Sequence, residues 1–163
     1  MNCFIIKIYI CKIFESINDI NIILDIHTIS IEYINNKGEK EQRIQKIFII
    51  SHENMIKYLD YNNCILYGLD CTDQIIPSSF KPLKMMSLYG IDPKTNQSII
   101  FSLILLKYTD SSSLIKLFLL LNMLYWFWPK IINVDFDMSQ INSLKASEVF
   151  KNKPYLICCL FHF

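Results

Sequence analysis

The chain has 163 residues, enough for one domain with a real core. It is 52% hydrophobic and 19% charged, with 3 Gly and 5 Pro, which excludes a disordered chain. A net charge of +1 excludes a broad electrostatic footprint for nucleic acid, so any such contact must come from a local patch or a further segment.

Two biases are discounted. Arg43 is the only arginine and Ala146 the only alanine, a pattern that fits an AT-rich genome. The 6 cysteines (Cys3, Cys11, Cys64, Cys71, Cys158 and Cys159) form no Cys-x-x-Cys pair, so reduced, mostly buried thiols in an intracellular protein are expected. Residues 1–10 are apolar, but Lys7 interrupts them and no small-residue cleavage site follows, so a secretory signal is not expected. The longest apolar stretch, Leu114 to Trp128, contains Lys116 and Asn122 and is shorter than the roughly 20 residues a bilayer needs. It predicts a buried amphipathic helix and no membrane partner.

Residues 1–47 are the less readable region. Mixed apolar spacing over 4–25 gives a weak helix. Thr28 to Ile34 alternates, Asn35-Asn36-Lys37-Gly38 signals a turn, and Arg43 to Ile50 reads as the returning strand of a hairpin. Ser51 reads as an N-cap for a short helix over 52–60, with Glu53 near its positive end.

From residue 64 the pattern is clearer. Residues 64–70 form an apolar run, suited to a strand buried on both faces. Leu83 to Ile91 and Ser98 to Tyr108 are two further strands, joined by the turn Asp92-Pro93-Lys94-Thr95-Asn96 into an antiparallel hairpin. Asp110 and Ser111-Ser112-Ser113 open a helix that runs to about Phe127, where Pro129 ends it. Residues 131–135 are a fourth strand, 138–151 a helix, and Tyr155 to Leu160 a fifth strand. The order βββαβαβ over 64–163 is that of a mixed α/β, ribonuclease-H-like sheet with flanking helices. In that architecture the first and fourth strands are neighbours at the sheet centre. Asp70 and Asp135 close those two strands.

Two adjacent, partly buried carboxylates repel and stay ionised only with a cation between them. Hard divalent ions prefer such oxygens, and a pair of metals can clamp the attacking and leaving oxygens of a phosphodiester. Spacing alone leaves a second reading open: each is an aspartate at a strand end, where turns favour it. Trp126 and Trp128 could stack on bases, but at the end of a buried helix they read as core. Lys81, Lys84 and Lys94 read as solvated charges.

Several motifs stand in one order. Asp70-Cys71-Thr72 leads to Pro77 and Phe80; a strand follows, ending at Tyr89-Gly90; another runs from Ile99 to Thr109. Pro129-Lys130-Ile131-Ile132-Asn133-Val134-Asp135-Phe136-Asp137 is next, then Ile141 to Lys145, then Cys159-Leu160-Phe161-His162. Together they resemble the transposase domain of Mutator-like elements, from about Phe48 to Phe163. The resemblance implies a partial ribonuclease-H-like domain over 48–163. It implies cut-and-paste DNA transposition by metal-dependent phosphodiester hydrolysis and strand transfer. Asp70 and Asp135 would be the first and second acids and the ligands of Mg²⁺ or Mn²⁺. It further implies DNA as partner, a nuclear location, and room for a homo-oligomer.

The departures are specific. The family has glycine where Cys71 stands and an aromatic where Asp73 stands. Its third acid, a glutamate beyond the Cys-x-x-His, has no counterpart before Phe163, and Glu148 lies in the wrong helix. This chain alone is therefore expected to have little strand-transfer activity. A domesticated, non-catalytic DNA- or protein-binding module is the alternative, and a small membrane-associated protein a third reading. Cys159 and His162 have zinc-compatible spacing, but a structural zinc needs four ligands and His27 and His52 have no close partners, so zinc is not expected. An orienting or nucleic-acid-contacting role and plain packing both stay open for the pair.

Overall fold

Asn35 sets the turn from which the N-terminal region is built. Its side-chain oxygen accepts bonds from Lys37 N at 2.9 Å and Glu39 N at 3.0 Å, and Gly38 supplies a φ of 81°. The turn closes a long antiparallel hairpin of β1 (Ile22–Ile34) and β2 (Lys40–His52). The computed structural model describes residues 22–61, 64–72, 81–125, 127–135, 137–146, 149–150 and 152–158. The weak helix expected over 4–25 falls mostly outside them, and residues 22–25 are strand.

Helix α1 (Glu53–Tyr61) follows directly from β2. Ser51 sits in β2 opposite Ser102, and its hydroxyl donates to Ser102 Oγ at 3.0 Å. The cap expected there is instead a buried link between strands. The remaining elements are β3 (Leu66–Thr72), β4 (Lys84–Ile91), β5 (Ser98–Leu106), α2 (Ser111–Tyr125), β6 (Ile131–Val134), α3 (Met138–Lys145) and β7 (Tyr155–Cys158). Helix α3 is shorter than the expected 138–151. It ends at Ala146, whose N–H bonds Ser143 O, and Val149 and Phe150 enter the core from beyond it.

The fold is mixed α/β: among the described residues, one sheet of 7 strands and three helices. The strand order is β1-β2-β5-β4-β3-β6-β7. β3, β6 and β7 run parallel, and the other pairs are antiparallel. Parallel neighbours need a crossover, and α3 supplies it between β6 and β7.

Strand alternation sorts the side chains onto two faces. Ile47, Ile49, Leu69, Met86, Leu88, Ile104, Ile132 and Val134 meet Leu114, Leu117, Phe118 and Leu121 of α2 and Ile141 and Leu144 of α3. Ile56 of α1 packs against the same core. The opposite face carries a smaller cluster, Phe48 and Leu105 with Leu24, Ile50, Leu83 and Met85. Helix α2 spans 15 residues, and no helix among the described residues is long and apolar enough to cross a membrane.

Arg43 ties the hairpin to α2. It pairs with Asp110, donates to Ser113 Oγ at 2.7 Å, and lies over the rings of Tyr108 (4.1 Å) and Tyr33 (4.6 Å). Asp110 also accepts from Ser113 N at 3.2 Å and so caps α2. Burial raises the Asp110 carboxyl, but bonds from Ser113 and the Arg43 guanidinium outweigh it, leaving it below the usual carboxylate range. A depressed folded value means its stabilisation is complete above the unfolded value of about 4 and lost as pH falls through the folded value. Asp110→Asn is expected to lower the melting temperature at neutral pH and flatten its decline below about pH 4. Thermal melts of both proteins across that range check this.

Candidate functional site

The central strands β3 and β6 pair in parallel, with Leu66 opposite Ile131, Tyr67 opposite Ile132 and Gly68 opposite Asn133. The pairing ends there, and Asp135 stands one residue past the end of β6; continued two residues further, the same register would bring Asp70 level with Asp135. Leu69 and Val134 both point into the main core. Alternation therefore assigns Asp70 and Asp135 to the opposite face, at the carboxyl ends of the two strands. Asp70 is exposed and Asp135 half-buried. Asp70 does not close its strand as expected, because β3 continues through Cys71 to Thr72.

Beneath the pair lies a built floor. The Tyr89 ring crosses Gly68 so closely that a Cβ there would sit 1.9 Å from Tyr89 Cζ. Asn133 Nδ2 donates to Tyr89 Oη at 3.0 Å, which holds the ring across β3. Tyr89 and Asn133 stand in the motif runs, but the sequence alone assigns neither a role. The usable signal was a glycine inside an apolar strand, which marks a close approach by a neighbour.

A second group surrounds Cys71. Burial pushes its thiol up to about 11; Lys84 opposes the rise, and the carboxylates of Asp137, Asp70 and Asp135 add to it. The thiol is protonated at neutral pH and is no nucleophile. Lys84 is not the solvated charge expected: it is half-buried, and its Nζ donates to Thr109 Oγ1 at 3.2 Å. Asp137 is the N-cap of α3, accepting from Ser139 N at 2.7 Å, so its role is structural.

Other expected residues fall differently. Cys159, His162, Asp73, Trp126 and Glu148 lie outside the described residues. Trp128 is 53% exposed and not part of the core. Among the described residues, no group of three or more His, Cys, Asp or Glu side chains is placed to hold a metal ion. Cys64, Cys71 and Cys158 are free thiols. Compared with known proteins, the chain matches no family model and no curated relative.

The floor makes a stability prediction. Gly68→Ala forces the Tyr89 ring away from β3 and is expected to cost about 1–3 kcal/mol, as overpacking does. In a Tyr89→Ala background the same change should cost little, a coupling that a double-mutant cycle of denaturant melts measures.

Proposed function

We propose that this chain carries the first two acids of a metal-assisted phosphodiester-processing site, in a partial ribonuclease-H-like domain of the Mutator-like transposase type. The observation that carries the reading is the parallel pairing of β3 with β6, whose register, continued past Gly68 and Asn133, would bring Asp70 and Asp135 to one end and one face. The order β5-β4-β3-β6-β7, with β4 antiparallel to both of its neighbours, supports the ribonuclease-H-like part of it.

The donor set fits a hard divalent cation, since two carboxylates at the ends of adjacent strands supply oxygen ligands. Mg²⁺ or Mn²⁺ bound there would polarise a phosphodiester and activate the attacking oxygen. Asp70 and Asp135 would hold the cation, above the packed floor of Tyr89 and Asn133. In this reading the substrate is DNA and the protein works in the nucleus.

Two carboxylates leave most positions of an octahedral ion to water. That favours the second reading, a non-catalytic DNA- or protein-binding module on the same framework. The two differ in one assay. Purified chain with Mg²⁺ or Mn²⁺ and terminal-repeat DNA is expected to give weak nicking and little joining. Asp135→Ala and Asp70→Ala should abolish what nicking there is, by at least about tenfold. Robust joining that persists in Asp135→Ala would overturn the assignment. Salt-dependent DNA retention with no metal-dependent cleavage would leave the binding module.

A further inference from the structure

At the opposite end of β6 from the acid pair lies a groove of about 510 Å³, lined by Trp128, Pro129, Lys130, Asn152, Lys153 and Tyr155. That is the size of a small-molecule or nucleotide site. Its make-up is unusual for this near-neutral chain: among the described residues it has two lysines, two large aromatics and no acid. Trp128 is 53% exposed and Tyr155 80% exposed, while Lys130 and Lys153 are both exposed.

These side chains stand on a fixed frame. Trp128 meets the buried Phe150 ring edge-on, at 6.3 Å and 75°. Pro129 is buried beside it. The Tyr155 N–H donates to Lys130 O at 2.9 Å, and Tyr155 opens β7 directly opposite Ile131. Tyr155 projects from the face opposite the main core, since Leu156 packs into that core. The Trp128 ring is thus braced with half of its surface in solvent, which lowers the ordering cost at binding, and Tyr155 stands out from a fixed backbone beside it.

We propose that this groove binds single-stranded nucleic acid. Trp128 and Tyr155 offer stacking surfaces for bases, and Lys130 and Lys153 neutralise the adjoining phosphates. Lysines alone would fit any polyanion, and the exposed rings select one that carries bases. The groove answers the charge balance of the whole chain, which allows a nucleic-acid contact only as a local patch. It does not rest on the metal-site reading, because it uses none of the same residues.

The test uses the full chain in EDTA, so that no divalent ion contributes. Fluorescein-labelled oligothymidylate and oligouridylate of about twelve nucleotides, a length within known single-strand site sizes, are titrated by anisotropy. An abasic strand of the same length is the control. Binding is expected at low salt and should weaken as salt rises. Trp128→Ala should weaken it about tenfold, and Trp128→Phe should recover most of the loss. Lys130→Gln with Lys153→Gln should lower the salt dependence by somewhat more than one unit of slope. The tighter of the two strands identifies DNA or RNA as the source. If Trp128→Ala melts at a lower temperature, Tyr155→Ala at the 80% exposed position carries the same expectation. Equal affinity for the abasic strand, or unchanged binding in the aromatic variants, would overturn the proposal. Neither result would alter the metal-dependent cleavage assay.

Discussion

The parallel pairing of β3 with β6 is the constraint on which the site depends. These strands are separated by a hairpin and a helix in sequence, yet their register is fixed over Leu66–Gly68 and Ile131–Asn133. A slip of β3 by one residue would turn Leu69 out of the core and bring Asp70 into it, and a slip of β6 would do the same to Val134 and Asp135. Burying a carboxylate in place of an aliphatic side chain is prohibitive in either case. Hydrophobic burial on one face therefore sets the alignment of acids on the other. The arrangement that makes a candidate cation site is a by-product of the core.

The same logic explains the floor. Gly68 leaves room for Tyr89 to lie across β3, and Asn133 anchors the ring from β6. Three strands are thereby locked together one step below the acids. The site face is packed at its base and open toward solvent at Asp70. On the opposite face, the high thiol value of Cys71 reflects burial first and the nearby carboxylates second. Lys84 and the Asp137 cap lie at the same end of the sheet, so charge is concentrated there on both faces.

Much of this was legible in the sequence because it rests on local chemistry. The Asn35 to Gly38 turn, the Asp92 turn and the Asp110 cap were readable from residues that bond their own backbone neighbours. The structure adds that Asp92 accepts from Lys94 N at 3.0 Å and from Thr95 Oγ1 at 2.7 Å. What was not legible depends on distant partners. Ser51 looks like a cap until Ser102 arrives beside it. Lys84 looks solvated until Thr109 and Cys71 flank it. Arg43 looks like a compositional accident, yet it links two tyrosines to the start of α2. Trp128 looks like core because the helix before it is apolar, but Pro129 redirects the chain and leaves the indole half outside. The third helix was overextended because Val149 and Phe150 keep a helical spacing after the helix has ended.

Paramagnetic broadening tests the central claim, that Asp70 and Asp135 share one divalent cation, most directly. Substoichiometric Mn²⁺ added to isotope-labelled protein should broaden the amide signals around Asp70 and Asp135 first. Excess Mg²⁺ should reverse the broadening, and Asp70→Asn and Asp135→Asn should each remove it. Broadening that centres elsewhere, or that survives both substitutions, would contradict the account.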